Sequence, residues 1–454
     1  MRLGLVFCMA CAVPASDPGP QVASGVVDTA SSDSRKNILL VVVDDLGVDR
    51  LEAFGAGDPE LPATPTLDRL MDAGVAFDQT WSEPLCSPSR ASILTGQQGH
   101  RYGLGTAVRY ADTVDLPRSA ETLAEALTDH DSAFIGKWHL TAGPDGVTAP
   151  TDQGFDMWTG SLGNLVTANS PTGAEQGYWD WERVVSGEIR QETGYATTVL
   201  ADAAIEWLDG RTEPWLLVLS FHAGHAPYHA PPIELVAPDR PRPDGVPGRH
   251  SAMIEALDHE LGRVLDALPE AERERTAVAW VGDNGTPDGV TGNIAKGTVY
   301  EAGVHVPMVV AVPGLAAGAR TAALAHVVDL FPTLVELGSG APSQEVLQGR
   351  SLVPCLEDPS GCAPRDRMVT ASFTPNGLGA SDSWQWAARG PRFKLMEAYH
   401  NTIHPEGMIA FFDLQGEGES VNLLDAPLSK EAAQAYAELE QEIREARVGL
   451  GDLN

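Results

Sequence analysis

Two adjacent polar pairs stand where a chain can do chemistry. Asp44-Asp45 ends the apolar run ILLVVV (38–43), and Asp283-Asn284 follows AVAWV (277–281) and a single glycine. Paired carboxylates at a strand tip cap a turn as readily as they hold a cation. Two such pairs together, however, supply hard oxygen donors of the kind that Ca2+ or Mg2+ takes. A bound cation would also let an acidic chain hold an anionic substrate that it otherwise repels. Lys137 and His139 follow the run Ala133-Phe134-Ile135, and His222 and His225 follow WLLVLSF (215–221), so cationic and proton-carrying groups share the same kind of position. Cys86 is solitary. A lone cysteine in an exported chain is either a small buried hydrophobe or a reactive group.

The elements that must position these residues alternate. Apolar runs at 38–43, 133–135, 215–221, 277–281 and 308–312 read as strands, and helices are expected at 66–73, 120–127, 197–208 and 250–268. This alternation predicts an α/β fold with a large, mainly parallel central sheet flanked by helices. In such sheets ligands gather beyond the C-terminal ends of the strands. After about Gly338 the pattern breaks into short segments rich in Pro and Gly. Strands at 384–388, 393–398 and 410–414 and a charged, Ala-rich helix at 430–446 predict a smaller C-terminal subdomain built on a short antiparallel sheet and a helix. The expected divisions are 1–35, 36–340 and 341–454.

Met1-Arg2 precedes the apolar run LGLVFCMACAV (3–13) and small residues, the layout of a secretory signal peptide, and 17–34 reads as a disordered tether. Two endings fit, cleavage after Ala15 or lipidation of Cys11. The expected location is therefore the periplasm, the outer membrane as a lipoprotein, or the extracellular medium, with membrane attachment only through that anchor. In an exported chain, Cys355 and Cys362, separated by LEDPSG, can close a short disulfide. The 454 residues are 43% apolar, enough for a sizeable core, and no apolar run approaches the roughly 20 residues of a spanning helix. With 30 basic and 63 acidic side chains the net charge is −33, and no Lys/Arg-rich run offsets it, which excludes nucleic acid as a partner.

Cys86 opens the stretch CSPSRASILTG (86–96), which resembles the signature of the type I, formylglycine-dependent sulfatases, members of the alkaline phosphatase-like superfamily. The resemblance extends to NILLVVVDDLG (37–47), TPTLDRL (64–70), GKWHL (136–140), FHAGHAP (221–227), GDNG (282–285), Lys296-Gly297 and DLFPTL (329–334). It implies that Cys86 is oxidised to formylglycine by a maturing, formylglycine-generating enzyme. It further implies that Asp44, Asp45, Asp283 and Asn284, with the converted Cys86, hold Ca2+, Mg2+ being the less favoured ion. Lys137, His139, His225 and Lys296 would surround the sulfate, and Arg90 would hold the formylglycine hydroxyls.

In the implied mechanism Asp283 helps deprotonate the attacking hydroxyl, His225 or Lys296 protonates the departing alcohol, and His139 takes the proton that releases sulfate. The implied activity is hydrolysis of sulfate monoesters on a sulfated small molecule or glycan. A phosphodiesterase or phosphonate monoester hydrolase of the same superfamily, and an inactive exported glycan-binding protein, are the competing readings. The chain departs from the family at Ala302 and at His305, where an arginine is common. The aromatic stretch 158–183, with Trp158, Tyr178, Trp179 and Trp181, fits either a platform for sugar rings or the core of an inserted loop.

Overall fold

The computed structural model describes residues 35–57, 60–212, 214–238, 244–292, 294–341 and 347–449. The expected signal peptide, tether and Cys11 lie outside them. Strands β1 (Asn37–Val43), β2 (Val75–Trp81), β3 (Asp131–Lys137), β4 (Met157–Ser161), β5 (Trp181–Val185), β6 (Glu188–Glu192), β7 (Trp215–Ser220), β8 (Thr276–Gly282), β9 (Met308–Ala311) and β10 (Ala319–His326) form one sheet. Their order is β10-β2-β9-β8-β1-β7-β3-β4-β5-β6. The centre is parallel, β1 pairing with β7 and β8, and β3 with β7 and β4.

The unbroken apolar run of β1 is explained by its place in the middle of this sheet. Ile38, Leu40 and Val42 point into one core, and Leu39, Val41 and Val43 into the core on the opposite face. One core is closed by helices Cys86–Thr95 and Leu330–Ser339 through Ile93, Leu94, Phe331 and Leu334. The other is closed by helices Ala196–Leu208 and Gly245–Ala267 through Leu200, Ala204, Leu257 and Leu261. The mainly parallel α/β sheet expected from the sequence is therefore present. Its margins are mixed: β9 runs antiparallel to both β2 and β8, and the β5–β6 hairpin closes the far edge. The helix expected at 120–127 contracts to Leu123–Ala126, opened by a Thr122/Glu125 capping box and ended where the chain turns into β3.

Strands β11 (Met368–Thr374), β12 (Ser383–Arg389), β13 (Phe393–Tyr399) and β14 (Met408–Asp413) make a second, antiparallel sheet covered by helix Lys430–Ala446. It is locked to the main sheet by Glu301, which receives Lys394 Nζ at 2.9 Å, Arg389 at 3.3 Å and the Trp81 indole N–H at 3.2 Å. Burial alone would raise the Glu301 carboxyl, but these cations hold it down at about 2. Here the His305 departure is accommodated: its ring contacts Glu301 at 3.6 Å and the Asp78 carbonyl at 2.9 Å, while Arg389 and Lys394 supply permanent charge. Cys355 and Cys362 are disulfide-bonded. No helix among the described residues is long and apolar enough to cross a membrane.

Candidate active site

The sheet order β8-β1-β7-β3 brings the expected residues to one place. Val43 is in register with Gly282, Val42 with Ser220, and Gly136 with Ser220, so the residues after these positions emerge from adjoining tips. Helix Cys86–Thr95 aims its first residue at the same point. Cys86 is only 1% exposed, and its Sγ lies 3.6 Å from Asp44 Oδ1. Two non-glycine residues here sit in the left-handed region, Asp45 at φ 58° and His139 at φ 59°. Such conformations cost on the order of 1–3 kcal/mol and persist where surrounding bonds impose them. The Asp45 N–H is held by Asp283 Oδ1 at 3.2 Å, and the His139 N–H by the Leu162 carbonyl at 2.9 Å.

Charge alternates tightly through the cluster. Lys137 Nζ donates to Asp44 Oδ2, and Lys296 Nζ to Asp45 Oδ1. Arg90 reaches Asp283 Oδ2 through Nε at 3.1 Å and through Nη2 at 2.9 Å, and its Nη1 donates to the Lys137 carbonyl at 2.8 Å and to Ser220 Oγ at 2.5 Å. Burial opposes ionisation of Asp44, yet Lys137, His225, Arg90 and Lys296 hold its carboxyl well below the usual range. Asp283 goes the other way: burial, then the Asp44 charge, push it up to about 7. Burial pushes the Cys86 thiol up to about 12 and leaves His139 and His225 below the ordinary imidazole value. Burial likewise works against the Lys296 charge, but Asp45 and the neighbouring groups around it, Asp44 among them, together more than offset it and raise that ammonium.

The three carboxylates of the cluster suit a hard divalent cation, and Cys86 Sγ lies among them. Ligand atoms of Asp44, Asp45, Cys86 and Asp283 all lie within 4.8 Å of one another. Asn284 adds an independent sign. Its Nδ2 donates to Asp45 Oδ1 at 2.8 Å and to the Gly285 carbonyl at 3.0 Å, while its buried Oδ1 has no hydrogen-bond partner among the described residues. A buried carbonyl oxygen left bare costs free energy, and a cation in front of it would remove that cost. Of the expected site residues, His225 and Lys296 keep the most exposure, 16% of each side chain, so the cluster faces outward on their side.

All ten expected residues thus converge. Arg90 contacts Asp283 and the β3 and β7 tips, and His225 Nε2 stands 3.9 Å from Asp45 Oδ2. Sequence reasoning missed the residues that hold these. Ser87 Oγ donates to the His139 carbonyl at 2.6 Å, Ser161 Oγ meets His222 Nε2 at 2.5 Å, and His250 Nε2 reaches the Asp45 carbonyl at 3.0 Å. Ser220 carried a legible signal, a lone hydroxyl inside the apolar run WLLVLSF. His250, on a long amphipathic helix, carried none.

Residues 36–341 match the family described as Sulfatase. The chain is similar to N-acetylgalactosamine-6-sulfatase of Canis lupus familiaris, 31% identical over 359 residues, covering 70% of this chain and 66% of that protein. The match thus spans slightly less than two thirds of that relative's length. It is also similar to arylsulfatase A of Bos taurus, 28% identical, covering 90% of this chain and 87% of that protein. Among solved structures, that of Ps i-CgsB in complex with k-i-k-neocarrahexaose shares the fold, with a TM-score of 0.74 at 23% identity over 92% of this chain and 93% of the other.

Proposed function

The chain belongs to the sulfatase family, and from that premise we propose that it hydrolyses sulfate monoesters of carbohydrate or aryl alcohols, using a formylglycine made from Cys86 and a bound divalent cation, Ca2+ rather than Mg2+. The observation that carries this reading is the placement of Cys86, buried at the first turn of a helix with its sulfur among Asp44, Asp45 and Asp283 and flanked by lysines. Asp44, Asp45, Asp283 and Asn284 would hold the cation, which supplies Lewis acidity toward a sulfate oxygen. The formylglycine, as its hydrate, would supply the attacking hydroxyl.

The remaining work falls to the protein's own side chains. A sulfate ester is negatively charged and a poor electrophile, so its oxygens must be neutralised before a bond to sulfur weakens. Lys137 and Lys296, held in place by Asp44 and Asp45, put two ammonium groups beside the anion. Asp283, ionised beside the cation it would help to hold, would draw the proton from the attacking hydroxyl, and Arg90 orients it by holding Oδ2. On the exposed side Lys296 Nζ can give a proton to the departing alcohol oxygen. His225, whose Nδ1–H is held by the Ala226 carbonyl at 2.7 Å, would do so from Nε2 only after that nitrogen has taken up a proton. His139 is buried and held neutral by burial and by Lys137 and Arg90; by resemblance to the family it would take the proton that releases sulfate. We further propose export of the chain and conversion of Cys86 by a partner enzyme.

The test combines mass spectrometry of the peptide spanning Cys86 with rates on p-nitrophenyl sulfate and bis-p-nitrophenyl phosphate in the presence and absence of Ca2+. Loss of the thiol mass in favour of an aldehyde, with cation-dependent preference for the sulfate, is the expected result. An unmodified cysteine in active protein, or a preference for the phosphate diester, would overturn it.

A further inference from the structure

The loop from His222 to His229 carries two kinds of group. His225 belongs to the cluster, on its exposed side, whereas His229 packs outside it among aromatic rings. Tyr178 ties the two together: its hydroxyl donates to the carbonyls of both His222 and His225, at 2.7 and 2.8 Å, and its ring lies 4.2 Å from that of His229. Trp179, the next residue, turns outward and is 43% exposed, while the neighbouring Trp181 is fully buried. Its indole is supported from beneath by Tyr195, with ring centroids 5.1 Å apart, and by His229 at 4.7 Å. The His229 ring is in turn fixed by hydrogen bonds to the Pro227 carbonyl at 2.8 Å and to the Tyr195 hydroxyl at 3.2 Å. A large apolar ring held rigid and left open to solvent is a stacking surface, since little entropy is lost when a second ring settles on it.

The charge beside it is distinctive. Arg249 is exposed, makes no hydrogen bond or ion pair among the described residues, and acts electrostatically on His229. In a chain of net charge −33, an exposed guanidinium with no partner among the described residues, within electrostatic reach of His229 under the aromatic shelf, marks a place for an anion. Tyr228, the residue before His229, has its hydroxyl within the field of Asp45 and Lys296.

We propose that Trp179, backed by Tyr195 and His229, stacks a pyranose ring on the leaving-group side of the cluster, and that Arg249 binds a further anion of the same molecule. The substrate class is then an acidic oligosaccharide bearing more than one anionic group, rather than an isolated aryl sulfate. This rests on the sulfatase reading above and deepens it.

The test compares Trp179→Ala, Trp179→Phe and Arg249→Gln with the unaltered protein on p-nitrophenyl sulfate, and on sulfated glycosaminoglycan and sulfated galactan hexasaccharides. Trp179→Ala is expected to raise KM for the hexasaccharide that is turned over by roughly ten- to thirtyfold, and to change the aryl sulfate rate less than twofold. Trp179→Phe restores most of the loss, and Arg249→Gln weakens the hexasaccharide but not a singly sulfated disaccharide. Equal losses on aryl and saccharide substrates, or aryl turnover with no binding of any hexasaccharide, would overturn the proposal. Calorimetric binding of the same hexasaccharides to Cys86→Ala protein separates the two readings. Trp179-dependent binding without sulfate release from any ester sinks the sulfatase reading alone, whereas sulfate release without Trp179-dependent binding sinks the shelf alone.

Discussion

Arg90 clasps one oxygen of Asp283. Its Nε and Nη2 stand 3.1 and 2.9 Å from Oδ2, and the other oxygen takes the Asp45 N–H at 3.2 Å. One guanidinium therefore sets the orientation of a carboxylate, and that carboxylate sets the strained backbone of Asp45. The same guanidinium is anchored to the β3 and β7 tips through Lys137 and Ser220, so three strands are coupled through a single planar group.

Arg90→Lys keeps the charge but not the fork, because an ammonium cannot reach Asp283, the Lys137 carbonyl and Ser220 together. The expected outcome is a fall in kcat of roughly a hundredfold with a smaller change in KM. Steady-state kinetics beside a melting curve checks it. An unchanged kcat would mean that Arg90 is not needed to orient Asp283.

Cys86→Ser offers a hydroxyl in place of the hydrated aldehyde. Serine can take up sulfate but has no second hydroxyl from which to expel it, so at most one slow turnover per molecule is expected. Rapid-quench measurement of released alcohol checks this, and sustained turnover would rule out the proposed chemistry.

Chelation should abolish activity, and added Ca2+ should restore it. Asn284→Ala removes the bare Oδ1 from the donor set, and the Ca2+ concentration needed for half-maximal activity is expected to rise by roughly ten- to a hundredfold. The Ca2+-induced rise in melting temperature should weaken in parallel, a readout that does not depend on turnover.

Glu301 is held at about 2 by Lys394 and Arg389 against the cost of burial, compared with an ordinary value of 4.5. Its folded value is depressed, so its contribution is fully present above pH 4.5 and is lost as the pH falls toward 2. The contribution has an upper bound of about 3 kcal/mol. Glu301→Gln should therefore melt below the unaltered protein at pH 7, and the gap should narrow as the pH falls below 4.5. A gap independent of pH would assign the effect to packing alone.

The Cys355–Cys362 bridge closes a loop of separation seven. Loop-closure entropy gives such a link about 2 kcal/mol. Replacing both cysteines by serine is expected to lower the melting temperature by roughly 2–4 °C and to leave kcat unchanged at 25 °C.

The fold and the cluster were legible for related reasons. A strand buried on both faces must be apolar throughout, so runs such as ILLVVV identify themselves, and the first polar residues after them mark the tips. Asp44, Lys137 and Asp283 were found in this way. Arg90 and Lys296 sit on a helix and a loop with no periodic signature, and only the resemblance to sulfatases pointed to them. His250 and Ser161 act through contacts between elements far apart in sequence, which no local pattern encodes. The aromatic stretch was ambiguous because Trp179 and Trp181 are chemically alike, and only the β5 hairpin decides that one is buried and the other exposed.

Every residue of the helix Cys86–Thr95 is buried. Under the proposed chemistry this imposes a chronology. A second enzyme must touch the sulfur to convert it, and once the sheet has closed over this helix Cys86, 1% exposed, is out of its reach. Maturation must then precede folding. A batch of protein folded with its cysteine intact would stay that way, and supplying the maturing enzyme afterwards would recover activity only if the chain were first unfolded.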